Sequence, residues 1–334
     1  MPVTEWTVGD DGAGRRLDKF LAAPDRLGSR ARASTALERG KVFVNDREAS
    51  LRDRGKLLNA GDVVRFWADR PGSATRRTLL GKAGDLPIVY EDDAVVVLNK
   101  APGLLSVPLP REGDARSVYQ ELARYLHRAG GRRPFVVHRI DRDTSGLVAF
   151  ATRPDAQQRL KEQFRRHEAE RVYRAVVYGH PRPSAGTWRD HVVWDRSFLI
   201  QKQTHPRDPR GSEAVSAYRV LEEFANASLI EVRLVTGKRN QIRLQARLHG
   251  HPLVGEKRYV FGPPELRPIA FPRQALHACR LAFQHPLTGE RLELEAPMPE
   301  DLTGLLTRLR RARRSAGSRV TSRPPSAVRR PRIR

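Results

Sequence analysis

Between Phe135 and Phe150 the chain reads Phe135-Val136-Val137-His138-Arg139-Ile140-Asp141-Arg142-Asp143-Thr144-Ser145-Gly146-Leu147-Val148-Ala149-Phe150. Two apolar runs flank a loop that holds two carboxylates among three basic side chains. The runs predict two buried strands. A loop held between such strands is rigid, and rigid scaffolds display functional loops. A carboxylate in this setting needs a cation beside it, because desolvation would otherwise neutralise it. A carboxylate that keeps its charge suits the role of nucleophile. A salt-bridged turn would explain the same residues.

Outward from this loop the pattern is that of an α+β domain. Ile88–Tyr90 and Ala94–Leu98 read as strands around the turn Glu91-Asp92-Asp93. Ser117–Arg128 and Asp155–Glu168 read as amphipathic helices, the second with Ala156, Leu160 and Phe164 at every fourth position. Val172–Tyr178, Ala214–Leu221, Leu229–Leu234 and Arg291–Glu295 read as further strands. Strands arrive in runs without strict alternation with helices, which argues against a doubly wound sheet.

A smaller module precedes it, at 13–68. Arg16–Leu21 opens a short helix, and Ser29 caps a second that Gly40 stops. Val42–Asn45 is a strand followed by the turn pair Asn45-Asp46, and Leu58–Phe66 is a turn and a closing strand. Residues 69–85, with Pro71, Gly72, Ser73, Gly81 and Gly84, have linker composition. The expected organisation is therefore 13–68, a linker 69–85, a large domain 86–307 and a basic, disordered tail 308–334.

Charge narrows the partner. Among 334 residues, 62 are Lys or Arg and 38 are Asp or Glu, a net charge of +24. Arg308 to Arg334 holds 11 Arg and no acid, which leaves 24 − 11 = +13 on the rest. A folded body that basic points to a polyanion, most often nucleic acid. The tail either raises solubility or adds phosphate contacts. No helix-turn-helix or finger signature favours a DNA-binding protein. No run approaches the roughly 20 apolar residues of a membrane span. Cys279 is the single cysteine, so no internal disulfide and no cysteine-cluster metal site is expected. The first fourteen residues lack a basic and apolar leader pattern, and a reducing cytoplasmic setting fits.

The loop resembles the His-Arg-Leu-Asp-x-x-Thr-Ser-Gly signature of RluA-type RNA pseudouridine synthases, with Ile140 in place of Leu. Glu91-Asp92 and Asn99-Lys100-Ala101-Pro102-Gly103-Leu104 resemble the family's first motif. Val172-Tyr173-Arg174-Ala175-Val176-Val177-Tyr178-Gly179 resembles its Tyr-bearing strand. Thr236-Gly237-Lys238-Arg239-Asn240-Gln241-Ile242-Arg243 resembles Thr-Gly-Arg-x-His-Gln-Ile-Arg. Leu276-His277-Ala278 and Phe283-x-His285-Pro286-x-Thr288-Gly289-Glu290 resemble its C-terminal motif. The resemblance runs from about Leu86 to Pro299. Arg16-Leu17-Asp18, Ser29-Arg30 and Gly40-x-Val42-x-Val44-Asn45 resemble an S-four RNA-binding domain.

The resemblance implies a pseudouridine synthase fold, with a mixed, mainly antiparallel sheet flanked by helices and loops, and a small α/β S-four-like module. It implies isomerisation of uridine in RNA without metal or organic cofactor, by a monomer. Ribosomal RNA is favoured over tRNA, because the extra module and basic tail suit a large structured RNA. By position Asp141 is the nucleophile, attacking the anomeric carbon or assisting abstraction of the neighbouring ribose proton. Arg243 pairs with it in a bidentate fork. Tyr173 stacks on the uracil, and its hydroxyl assists proton transfer. A uridine inside folded RNA must be flipped out to react, and Arg139 fills the vacated stack. Arg142 and Thr144 are further RNA-binding candidates. Lys19, Arg30, Arg32 and Lys41 line an RNA-facing surface of the small module. His138 reads as a structural hydrogen-bonder. Lys238, Asn240 and Gln245 depart from the family's Arg, His and His. These departures motivate a competing reading, a ribosome-assembly or RNA-binding protein that keeps the fold without turnover.

Overall fold

A computed structural model describes residues 3–38, 40–68, 86–108, 116–129, 131–260 and 267–320. The linker expected at 69–85 lies outside them.

The N-terminal elements are β1 (Val3–Thr7), α1 (Leu17–Leu21), α2 (Arg30–Glu38), β2 (Val42–Val44), β3 (Arg47–Ala49) and β4 (Val63–Trp67). Their strands form an antiparallel sheet in the order β1-β4-β2-β3. Leu17, Phe20 and Leu21 fall on one face of α1 and pack with Ala33, Leu37, Val42, Val44 and Val64. The Ser29 hydroxyl accepts the Arg32 N–H at 3.2 Å, as its capping role requires. Asn45 and Asp46 both hold positive φ, at 51° and 62°, the conformation a two-residue hairpin demands. The expected start at 13 was too late. β1 pairs along its whole length with β4, but five residues from a charged, threonine-bearing stretch carry no alternation strong enough to announce it.

The larger part comprises β5 (Ile88–Glu91), β6 (Val95–Lys100), α3 (Val118–Arg128), β7 (Phe135–Val136), β8 (Ser145–Ala151), α4 (Pro154–Arg165) and β9 (Glu170–Tyr178). It continues with β10 (Ala185–Asp195), β11 (Ile200–Gln203), β12 (Ser212–Glu223), β13 (Ala227–Leu234), α5 (Gln241–Leu248), β14 (Leu276–Gln284), β15 (Arg291–Glu295) and α6 (Glu300–Val320). The strands form one sheet in the order β11-β10-β12-β13-β9-β14-β8-β6-β5, with β15 on β14 and β7 on β8. Every pairing is antiparallel except β14 with β8. The sheet is mixed and mainly antiparallel, as the α+β reading anticipates.

β6 and β8 read as unbroken apolar runs because both of their faces are covered. Val96, Leu98, Val148 and Phe150 pack under Val118, Leu122 and Leu126 of α3. Val95, Val97, Leu147 and Ala149 pack under Ala156 and Leu160 of α4. Burying each such side chain is worth roughly 1.5–3 kcal/mol, so this is stiff ground for the loop between β7 and β8. α3 starts on a capping box: Ser117 Oγ accepts the Gln120 N–H, and the Gln120 side chain accepts the Ser117 N–H. α4 stops at Arg165, before the expected Glu168, because His167 turns to φ 62°.

α6 corrects the boundary at 308. Leu302, Leu305, Leu306 and Leu309 bury one face, and the helix continues to Val320. Beyond Leu309 the support is polar, which an apolar period cannot register. Arg310 pairs with Glu222 at 2.7 Å, and Arg313 donates to the Glu223 carbonyl. Residues 321–334 lie outside the described part. Among the described residues no helix is long and apolar enough to cross a membrane, and no cluster of His, Cys, Asp and Glu could hold a metal ion.

Candidate active site

The loop 137–144 lies at the edge of a cavity of about 530 Å³ lined by Arg139, Asp141, Tyr173, Arg171, Asn240 and Arg243, among others. β8 leaves the loop beside β14, with Gly146 opposite Ala278. Gly146 has φ 111°, and a Cβ there would lie 2.2 Å from the Ala278 carbonyl oxygen. No side chain fits. The glycine lets β14 run against the loop's exit, which brings the C-terminal motif to the signature.

The backbone of the loop is held from behind. Lys100, 1% exposed, donates from Nζ to the carbonyls of Ala101, Leu104 and Arg142 at 2.7–2.8 Å. Ser106 Oγ donates to the Ile140 carbonyl at 2.7 Å and accepts the Ile140 N–H at 3.2 Å. Arg273 donates to the Asp143 carbonyl at 2.9 Å while pairing with Asp301 at the start of α6. Burial lowers the Lys100 pKa to about 7, against the pull of Asp143 and Asp141. His138 accepts the Ala149 N–H at Nε2 and stacks on Phe164 at 4.5 Å. Burial, then Arg171, lowers its pKa to about 3. It is a neutral acceptor at physiological pH.

Asp141 accepts two hydrogen bonds, both on Oδ2: from Asn240 Nδ2 at 2.7 Å and from Arg243 Nη1 at 3.1 Å. The bidentate fork expected between Arg243 and Asp141 goes elsewhere. Arg243 Nε and Nη2 donate to the two carboxylate oxygens of Glu256, each at 2.7 Å. Glu256 is the better anchor because its side chain is fully buried, while that of Asp141 is 23% exposed. Burial opposes charge on Arg243, but Glu256 and then Asp141 outweigh it, and its pKa is raised. Burial likewise opposes charge on Glu256, but Arg243 and the N–H groups of Arg258 and Tyr259 lower its pKa.

Asn240 takes φ 52° and ψ 25°, a left-handed conformation. Asn and His are among the few non-glycine residues enriched there, so Asn replaces His without a backbone penalty. The amide keeps a donor on Asp141, and Tyr259 donates to its oxygen at 3.3 Å. Gln245 lies elsewhere. Fully buried, it donates to Asp190 Oδ2 and to the carbonyls of Trp188 and Ala214, and accepts from Ser216. It fastens α5 to the sheet. Tyr173 is 7% exposed, and burial raises its pKa to about 12, so the phenol is protonated.

The expected RNA contacts divide. Lys19, Arg30, Arg32, Arg139 and Arg142 are exposed. Burial and then Arg239 lower the pKa of Arg139, which lines the cavity. Thr144 is 1% exposed, with its hydroxyl accepting from Gln274 at 3.3 Å, so it holds the loop. Lys41 is also withdrawn: its ammonium donates to the Ala68 carbonyl and pairs with Asp93 at 3.1 Å. Glu256, Tyr259, Arg273 and Arg171 escaped the sequence reading. Glu256 had one weak signal, a lone acid after Gly255 in an otherwise basic stretch. No spacing rule ties it to Arg243.

Residues 94–248 match the family described as RNA pseudouridylate synthase. The chain is 36% identical over 314 residues to the ribosomal large subunit pseudouridine synthase D of Zymomonas mobilis, covering 90% of this chain and 96% of that one. It is 34% identical to the protein of the same name from Escherichia coli, covering 91% and 93%. Among solved structures, human RNA pseudouridylate synthase domain containing 4 superposes with a TM-score of 0.55 at 25% identity, over 67% of this chain and 92% of that one. The chain belongs to the RluA-type RNA pseudouridine synthases, the isomerases that make pseudouridine in RNA.

Proposed function

We propose that the chain isomerises uridine in large-subunit ribosomal RNA, with Asp141 as nucleophile. The observation that carries the catalytic assignment is the half-occupied carboxylate. Both partners of Asp141 sit on Oδ2, and among the described residues Oδ1 has none on a side chain that lines the cavity. The reaction breaks the bond between the ribose anomeric carbon and uracil N1 and rejoins the base through C5. The proton lost from C5 is matched by the one gained at N1, so no external reactant is needed. Asp141 acts at the sugar–base junction. Arg243 supplies the positive charge that fixes its orientation, and Asn240 the second donor. Tyr173 supports the base with its ring, and its protonated hydroxyl is a donor.

Arg139, exposed at the cavity edge, is suited to fill the stack left by the flipped uridine. The exposed Lys19, Arg30 and Arg32 suit phosphate docking by an S-four-like module, which positions the RNA while base contacts specify the site. The rRNA assignment rests on the names of relatives that match about nine-tenths of the chain.

The test is pseudouridine mapping of total RNA from cells with and without the gene, by carbodiimide adducts and reverse-transcription stops. A stop in large-subunit rRNA that vanishes on deletion is expected to return with wild type and not with Asp141→Asn. A stop restored by Asp141→Asn would overturn the role of Asp141, and a vanished stop in tRNA would overturn the substrate.

A further inference from the structure

Three arginines are deeply buried around the site, and two are fully employed. Arg243 serves Glu256 and Asp141. Arg273, 7% exposed, serves Asp301 and the carbonyls of Asp143, Gln274 and Leu276. The third, Arg171 on β9, is 8% exposed, and both its Nε and its Nη2 are buried without a hydrogen-bond partner. Among the described residues it is the one side chain with two such atoms. Among the described residues no carboxylate pairs with it, and its one aromatic neighbour in charge contact is Phe164, whose ring centroid lies 5.5 Å from the guanidinium carbon. Burial lowers its pKa, and only Tyr173 opposes that. Its charge reaches two histidines: after burial it lowers the pKa of His138, and after burial it lowers that of His167 together with Lys238.

Arg171, His167, Lys238 and Arg165 all line the Asp141 cavity. The loop opposite lies close against the guanidinium. A Cβ on Gly237 would lie 2.4 Å from Arg171 Nη1. Gly237 is not among the glycines with positive φ, so a side chain there would meet the guanidinium rather than a left-handed backbone, and the guanidinium would have to move. The Phe164 ring face, at 5.5 Å, offsets only part of the cost of burying a guanidinium, and leaving it without a counter-charge costs several kcal/mol. A neutral base carbonyl returns little of that, whereas an anion under a rim of further cations returns most of it.

We propose that Arg171 anchors a phosphate subsite in the cavity, which takes one phosphodiester of the RNA strand at the flipped uridine. The proposal rests on the synthase reading of the cavity. Tyr173 lies two residues along the same strand, hence on the same face as Arg171. Its pKa feels Arg171 and Asp141 in opposite senses after burial. The nucleotide thus has its sugar–base junction at Asp141 and an adjoining phosphate at Arg171.

The test is calorimetry on the full chain with uridine, uridine 3′-monophosphate and uridine 5′-monophosphate. Wild type is expected to bind one of the monophosphates at least about 10-fold more tightly than uridine, the range of a charged hydrogen bond. Arg171→Met is expected to remove that preference and leave uridine binding within about 2-fold. Arg171→Lys is expected to restore part of it. Gly237→Ala pushes the guanidinium aside without removing it, and is expected to reduce the preference by an intermediate factor, which keeps the test sound if Arg171→Met folds poorly. Equal loss of uridine and both monophosphates in Arg171→Met would mean that Arg171 reads the base, and would overturn the proposal. So would a wild type that prefers neither monophosphate. The synthase reading is judged separately, by release of tritium from C5-labelled rRNA, because the binding test needs no turnover.

Discussion

Asp92 and Asp141 are both loop aspartates of one sheet, and they are built to opposite ends. Asp92 is 3% exposed and saturated. Its Oδ1 accepts the N–H groups of Ala94 and Val95, each at 2.7 Å, and its Oδ2 accepts Tyr90 Oη at 2.6 Å and His285 Nε2 at 2.7 Å. His285 Nδ1 takes the Thr288 N–H, which leaves Nε2 as the donor. Among the described residues Asp141 accepts on one oxygen only. A saturated carboxylate is a strut, and its side chain is the structure. A half-saturated one is free for chemistry but cannot hold its own loop, so Lys100, Ser106 and Arg273 hold the backbone instead.

Exchanging each acid for its amide tests this directly. Asp141→Asn is expected to lower turnover by about 10⁴-fold and to change stability by less than about 1 kcal/mol, since the amide oxygen can take both donors. Asp92→Asn is expected to do the reverse. Its NH₂ group must face two donors in a closed site, which costs about 2–4 kcal/mol, while turnover per folded molecule stays within a few-fold. Denaturant melts beside rates on labelled rRNA decide it. Similar stability losses in the two variants would erase the contrast.

Arg243 stands between a strut, Glu256, and the proposed nucleophile, Asp141. Arg243→Leu is expected to abolish turnover and, by stranding Glu256, to destabilise by about 3–5 kcal/mol. Arg243→Leu with Glu256→Leu is expected to recover much of the stability and none of the turnover. Recovery of turnover in the double variant would show that Arg243 acts only through Glu256.

Much of this was readable from the chain. The apolar runs at β6 and β8 announced buried strands, and the signature, Tyr173 and Arg243 pointed to residues that the structure brings to one cavity. What stayed hidden depends on contacts without spacing rules. Asp92 meets His285 across 193 positions, and Arg243 chose Glu256 over Asp141 for its fork because that carboxylate is the more buried. β10 and β14 were missed because their polar residues, such as Asp190 and His277, are satisfied by partners far away in the chain. The helix past Leu309 was missed because ion pairs, not apolar side chains, hold it.

Lys100 carries a proton dependence. Its folded pKa is about 7, below the ordinary 10.5 of the unfolded chain. Between these values the unfolded chain holds the extra proton, so the Lys100 contribution to stability rises with pH across that window. Measured as wild type minus Lys100→Met, the slope is expected to reach up to about 1.4 kcal/mol per pH unit. Turnover is expected to move the other way, because the neutral amine loses the third donor that serves the loop carbonyls. A pH–rate profile whose alkaline limb survives in Lys100→Met would assign that limb to another group.

The smallest expected effect comes from the other donor on Asp141. Asn240 contributes one hydrogen bond to Oδ2 at 2.7 Å, and Arg243 keeps the charge beside it. Asn240→Ala removes about 1.5 kcal/mol of that support, hence about 10-fold in turnover. Ala also bears the left-handed backbone less well than Asn. Asn240→His keeps both a donor and a residue type suited to that backbone, so it is expected to stay within about 3-fold of wild type. Asn240→Gly relieves the backbone without replacing the donor. If Asn240→Gly matches Asn240→Ala, the hydrogen bond is what Asn240 supplies. If it matches wild type, Asn240 serves the turn, and Asp141 is oriented by Arg243 alone.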